Sequence, residues 1–411
     1  MTKKRRILIC DDEKRREDRW ADALKSIKYV RANFEIHCPT NSEIIDGISE
    51  LEKRRKSARS KSHREGKLDG SLFDNTDVLI IDYDLIDLDV DRYFTGEGIA
   101  YLARCYSGCG PIIGLNQFGD NYFDLTLSGH PESFADVNIG SSHLGNRGLW
   151  EDDWSGFRPW YWPVVPTLVA SFEKRTKELR LDDKIIDFLG LSEAWAYLSS
   201  DASDYISSKF RDSTKQLKAI SFLDFARNSS NGYQRKDKPF SEEGTRRVAA
   251  ARVWKWLERH VLPGQNVLVD APHLVTRFPS LLTGDPNLVS SWNKTTQPGA
   301  INRLGIRYKS LEPYRFKKDD WISRPAWFWP QLTEFDRIDE VREPWSAKFY
   351  EYTFCEDVST FVKQERTREF LADLESQYVK RSLIDPSNPA NKRFKSALHR
   401  ISYQPQSRLA M

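Results

Sequence analysis

The chain of 411 residues carries 30% charged and 39% hydrophobic residues and a net charge of +3. This length sets aside one small core and points to two or three domains, and the near balance of charge sets aside a chain that grips nucleic acid along its whole surface. No run approaches the ~18 apolar residues of a membrane span, and five scattered cysteines, Cys10, Cys38, Cys105, Cys109 and Cys355, give no disulfide framework.

Four apolar residues, Ile7 to Cys10, follow the basic start and end at Asp11-Asp12. The run is too short for the apolar core of a signal peptide and reads as a buried parallel strand, so a cytoplasmic protein is expected. Glu13 to Ile27 reads as a helix with Trp20, Leu24 and Ile27 on one face. Phe34 to Cys38 is a second strand, and Asn41 is placed to cap a helix starting near Ser42. Val78 to Ile81 is a third strand ending at Asp82, Ile99 to Cys105 a helix, and Pro111 to Leu115 a fourth strand ending at Asn116. Val137 to Ile139 is a weaker fifth strand, and Pro163 to Leu179 a closing helix. Strand and helix alternate as in a doubly wound parallel sheet over residues 1–180.

Eight Lys or Arg residues between Lys53 and Lys67 form a basic insertion, about 53–70, expected to be a solvated or mobile extension of the second helix. Residues 181–385 form a second region of mixed, mainly helical α+β character, and 386–411 a basic tail. In the second region, helices are expected over Asp182 to Ser199, Ser241 to Val261 and Gln364 to Ile384, with a strand at Val267 to Val269. Arg252, Lys255 and Arg259 read as the solvated face of the long helix.

Open α/β sheets bind ligands outside the carboxyl ends of their strands, where the strand order reverses. Asp11 and Asp12 directly follow the first strand, and Asp82 follows the third. Alone, an Asp-Asp pair reads as strand-end solvation. With Asp82 on a neighbouring strand, three carboxylates meet, and their repulsion calls for a hard cation or for shifted protons.

These residues resemble the response-regulator receiver domain of two-component systems over residues 5–178. The likeness rests on Ile-Leu-Ile-Cys-Asp-Asp at 7–12, Val-Leu-Ile-Ile-Asp-Tyr-Asp at 78–84 and Pro-Ile-Ile-Gly-Leu-Asn at 111–116. It implies a flavodoxin-like sheet, Mg²⁺ held by Asp11, Asp12, Asp82 and the carbonyl of Asp84, and Asp82 as phosphoacceptor. A histidine kinase or phosphotransfer protein would be the donor in a phosphorelay. Gly96 or Gly98 would match the family's glycine after the phosphoacceptor loop. The chain departs from the family where Asn116 replaces the usual Ser or Thr, and where Gly140, Ser141 and Ser142 replace a Lys. Arg147 is the nearest cation to that position, and Asn116 and Arg147 are expected to sense a phosphoryl group. Asp84, Asp87, Asp89 and Asp91 enrich the following loop.

Other constellations point elsewhere. Cys105, Cys109, His130 and His143 match no strong zinc spacing. Arg303, Arg307, Arg315, Lys317 and Lys318 interleave with aromatics, the mixture that nucleic-acid contact uses, but no known nucleic-acid motif accompanies them. Trp321, Trp327, Phe328, Trp329 and Trp345 read as core or as a protein-partner surface. Asp270 with His273, and Cys355-Glu356-Asp357, lack the spacing of a catalytic centre, so no enzyme is expected beyond phosphoacceptor chemistry. The expected protein is an atypical response-regulator-like signalling protein. The alternatives are a phosphorylation-independent adaptor in a complex and a nucleic-acid-binding regulator.

Overall fold

A computed structural model describes residues 4–60, 66–89, 93–116, 133–158, 162–207, 219–228, 239–282, 286–296, 311–333, 351–369 and 382–394. Strand β1 (Arg5–Cys10) is buried on both faces, which its unbroken apolar run requires. Side chains alternate across a strand, so Ile7 and Ile9 enter one core and Leu8 and Cys10 the other. With β2 (Phe34–His37), β3 (Val78–Asp82), β4 (Ile112–Asn116) and β5 (Val137–Gly140) it forms a five-stranded, all-parallel sheet. The order β2-β1-β3-β4-β5 is compatible with a flavodoxin-like sheet.

Helices cover both faces. Trp20 and Leu24 of α1 (Lys14–Ser26) and Leu168 and Val169 of α4 (Val165–Glu178) pack with Ile7 and Ile9. Ile44, Ile48 and Leu51 of α2 (Asn41–Ala58) and Ile99 and Ala103 of α3 (Gly96–Tyr106) pack with Leu8 and Cys10. Each buried Leu, Ile or Val among them contributes about 1.5–3 kcal/mol. The cap of α2 is Thr40, not Asn41. Its hydroxyl accepts from the Glu43 N–H at 3.3 Å while the Glu43 carboxylate accepts from the Thr40 N–H at 2.7 Å. This reciprocal pairing satisfies two backbone donors, which Asn41 one residue later would not.

The basic extension of α2 is not wholly solvated. Arg54 is 5% exposed, forks onto Asp74 at 2.8 and 2.9 Å, and donates to the carbonyls of Asp69 and Tyr106. Residues 61–65 lie outside the described residues.

The long helix of the second region, α5 (Glu242–Trp256), continues as a π-helical turn over Leu257–Val261. It packs against both α3 and α4, with Val248, Ala249, Val253 and Trp256 in the same core as Ala103 and Phe172. The expected solvated cations are therefore buried, Arg252 and Lys255 to 3% and Arg259 to 6% exposure. These cations lie on a side of α5 that meets the 133–136 segment, so their stems pack and their heads turn to polar groups inside.

Two other helices are corrected. Asp182 to Ser199 holds only a short helix, Ile185–Phe188, and a 3-10 turn, Trp195–Tyr197. The described parts of Gln364 to Ile384 are a 3-10 turn, Gln364–Arg366, and two strands, β10 (Thr367–Glu369) and β11 (Ser382–Ile384). They complete a four-stranded sheet with β8 (Tyr352–Cys355) and β9 (Thr360–Lys363) in the order β9-β8-β11-β10. Thr367 and Ile384 face each other in that ladder, so pairing between distant residues overrides the local helical pattern. Strand β6 (Leu268–Asp270) pairs with β7 (Ala326–Phe328). Trp321 and Trp327 are fully buried core, and Trp345 lies outside the described residues. No helix among the described residues is long and apolar enough to cross a membrane.

The turn after β8 ties the second sheet to the first region. The Asp357 carbonyl accepts from the Arg158 N–H at 2.9 Å, and Ser359 donates to the Arg158 carbonyl at 2.6 Å. Burial pushes the Asp357 carboxyl from 3.8 up to about 7, against the pull of the Ile384 N–H. Between those values the native chain holds a proton that the unfolded chain has lost, so stability falls as pH rises through the window and stays lowered above it. Asp357→Asn is expected to raise stability by on the order of 2 kcal/mol near pH 8 and little near pH 4. Urea unfolding at the two pH values checks this.

Candidate metal centre

Strands β1 and β3 run side by side with Cys10 opposite Ile81, so Asp11 and Asp82 leave the sheet at the same level. Asp11, Asp12 and Asp82 each offer an oxygen within 4.8 Å of the other two. Asp11 is 2% and Asp82 1% exposed. Three carboxylates in so little water destabilise one another unless positive charge joins them.

One source of that charge is Arg16, in the first turn of α1. Its Nη2 lies 2.9 Å from Asp11 Oδ1 and 3.9 Å from Asp82 Oδ2, and it also pairs with Asp12. Its Nε donates to Asp11 Oδ1 at 3.1 Å. The helix geometry explains the reach: four residues make about one turn, which brings residue 16 back over the helix entrance. Nothing in the motif singled Arg16 out among Lys14, Arg15, Arg16 and Arg19. The signal was its spacing of four from Asp12.

The backbone holds the acids in place. The Glu13 N–H donates to Asp11 Oδ1 at 2.8 Å, and the Asp87 N–H donates to Asp12 Oδ2 at 3.0 Å. Asp11 Oδ2 is buried with no hydrogen-bond partner among the described residues. Burial is the largest cause that pushes the Asp11 carboxyl up to about 7; the Glu13 N–H and Arg16 pull it down, while Asp82 pushes it further up. An unserved buried oxygen among three hard carboxylate donors suits an Mg²⁺-sized cation, which takes oxygen ligands at about 2.0–2.1 Å.

The remaining expected residues distribute as follows. Asn116 closes β4, one residue beyond Leu115, which faces Asp82. Asp84 is exposed and pairs with Thr95 in a short antiparallel ladder, outside the three-acid cluster. Arg147 pairs with Glu151 and stacks over Trp154 at 4.3 Å, so Glu151 and Trp154 engage its guanidinium. Ser141 and Ser142 lie in the 3-10 turn after β5. Cys105 and Cys109 are buried thiols, and His143 stacks on Phe157. Arg303, Arg307, Asp91 and His130 lie outside the described residues. Arg315 is buried and held by Glu312 and Asp319, while Lys317 pairs with Glu312 and Lys318 with Glu178.

A polar chain runs from the acidic edge to the second region. Gly96 starts α3 directly behind Asp82, where a Cβ would lie 2.1 Å from the Asp82 carbonyl oxygen. The next residue, Glu97, accepts from Ser133 Oγ at 2.7 Å and from the Phe134 N–H at 2.5 Å. On the other side of that segment, Lys255 of α5 donates to the Ser133 carbonyl and, at 2.6 Å, to that of Ala135. Burial is the largest cause that holds the Lys255 ammonium well below its usual range, with Arg259 and Arg252 adding to it. Glu97 did not stand out in the sequence and Lys255 read there as part of a solvated face, because each is a common helix residue whose partners are distant in the chain.

Gly96→Ala is expected to cost about 1–3 kcal/mol, since backbone has to move aside. Gly244→Ala, where the nearest atoms stand 3.5 Å away, should stabilise by about 0.5–1 kcal/mol. Urea midpoints at unchanged slope measure both. Compared with known proteins, the chain matches no family model, no curated protein and no solved structure.

Proposed function

We propose that this chain is an atypical response-regulator-like signalling protein whose first region binds Mg²⁺ at Asp11, Asp12 and Asp82 and accepts a phosphoryl group on Asp82. The observation that carries this reading is the meeting of three carboxylates at the carboxyl edge of β1 and β3, with a buried Asp11 oxygen left unserved. Asp82 is the terminal residue of its strand and lies between the other two acids and the turn that begins α3, the position of a carboxylate nucleophile. A bound divalent cation would offset the charge that builds up as phosphorus is transferred. Asp82 oxygen bonds to phosphorus as the donor's phosphorus–nitrogen bond breaks, and the released histidine takes up a proton. A histidine kinase or phosphotransfer protein is the donor class, in a cytoplasmic setting.

Asp82, Gly96, Glu97, Ser133 and Lys255 would carry the signal onward. An acyl phosphate carries about −1.5 to −2 charges beside the Asp82–Gly96 contact, where the free carboxylate carries −1. Glu97 would feel it one residue away, and Lys255 would transmit it to α5 and the second region, which would bind a protein partner.

A phosphorylation-independent adaptor is the second reading. It is favoured by Arg16 on the acids, by Asn116 in place of Ser or Thr, and by Gly140-Ser141-Ser142 in place of Lys. The nucleic-acid reading draws least support, because the described cations of the 303–318 stretch are paired with Glu and Asp side chains.

Beryllofluoride, a phosphoryl mimic, separates the first two. With Mg²⁺, wild type is expected to show a saturable change in tryptophan fluorescence, Trp20 of α1 being buried in the core one turn beyond Arg16. Asp82→Asn should abolish it. Absence of the change in folded wild type would leave the adaptor.

A further inference from the structure

The acidic cluster is already neutralised in part from within. A single guanidinium nitrogen, Arg16 Nη2, reaches one oxygen of each of the three carboxylates, at 2.9 Å on Asp11, 3.9 Å on Asp82 and in direct pairing on Asp12. The three acids span no more than 4.8 Å, room for one cation among them. A guanidinium in contact with Asp11 and Asp12 and a divalent ion at about 2.0–2.1 Å from the same oxygens exclude each other by size and by charge.

We propose that Arg16 is a built-in counter-ion that competes with the divalent cation, so that the cation binds only as the guanidinium leaves the acids. This rests on the metal-binding part of the function proposed above. The geometry provides both states. In the inward state Arg16 meets Asp11 and Asp12 but leaves Asp11 Oδ2 buried and unserved, so the guanidinium satisfies the cluster incompletely. For the outward state, the Arg16 side chain is already 23% exposed, and Glu13, 55% exposed, stands 3.4 Å from its Nε as a landing partner at the rim. Arginine keeps its proton at every physiological pH, so pH cannot remove this competitor. Only movement or substitution can. The device sets a threshold: the site fills when cation concentration outweighs the internal pair, and the resting fold needs no metal to hold its acids together.

The test is Mn²⁺ binding to the full chain, with free Mn²⁺ counted by electron paramagnetic resonance and heat measured by titration calorimetry. Wild type, Arg16→Gln, Arg16→Lys, and Arg16→Gln combined with Asp11→Asn are compared, with folding checked by circular dichroism. Arg16→Gln is expected to bind Mn²⁺ roughly tenfold more tightly or better, the scale of one close charge contact removed. Arg16→Lys, whose single point charge cannot fork across two acids, should fall between it and wild type. The added Asp11→Asn should abolish the gain. If Arg16→Gln binds equally or more weakly than a binding wild type, the competition is wrong while the metal site stands. If neither wild type nor either folded Arg16 variant binds, the metal site itself is wrong and the competition falls with it. Should Arg16→Gln not fold, Arg16→Lys decides alone, and affinity no better than wild type overturns the proposal.

Discussion

The parallel pairing of β1 with β3 is the constraint on which the rest of the molecule depends. Its register, Cys10 against Ile81, decides two things together. It sends Ile7 and Ile9 to one face and Leu8 and Cys10 to the other, so both layers of helices find apolar partners. It also brings Asp11 and Asp82 out of the sheet at one level. A slip of one residue would exchange the two faces and separate the acids. Packing and candidate chemistry therefore rest on the same ladder.

Buried charge is the second theme. Arg54 with Asp74, Arg104 with Asp136, and Arg16 with Asp11 and Asp12 are all pairs removed wholly or largely from water. Such pairs add little net stability over apolar residues of like volume, but losing one partner strands the other. Their value here is positional. Arg54 pins α2 to the turn before β3, Arg104 pins α3 to the entrance of β5, and Arg16 pins α1 over the acidic edge. Arg16 thus holds the sheet's carboxyl edge, while Arg54 and Arg104 hold its amino edge, where β3 and β5 begin.

The first region was legible because its signals are local. Apolar runs of four or five residues ended by Asp11, Asp82 and Asn116 announce buried strands, and Trp20 and Leu24 announce a helix face. The acidic cluster was legible for the same reason, being strand ends whose spacing along the chain gives away the sheet. Arg16 escaped because its importance lies in what stands across from it. Thr40 was passed over by one residue, since Asn41 is as good a cap by type, and only the reciprocal bond to Glu43 separates them. Beyond residue 180 local pattern misled. Gln364 to Ile384 has helical composition, yet Thr367 pairs with Ile384 in a sheet. Arg252, Lys255 and Arg259 look like a solvent face until the 133–136 segment and Tyr205 close over them.

The placing of α5 against α3 and α4 bears on how the chain is made. On the ribosome the five strands emerge well before residues 242–256, so the growing sheet waits with part of its α3 and α4 surface uncovered. That surface includes Ala103, Tyr106 and Phe172, which belong to the same core as Val248 and Trp256. A nascent chain in this state is exposed to nonspecific association. The docking of α5 joins residues far apart in the chain, a contact of high sequence separation. The two regions are thus bound by the order of their synthesis as much as by contact. A gene fragment ending at residue 180 would encode the acidic edge but not the helix that finishes its neighbourhood.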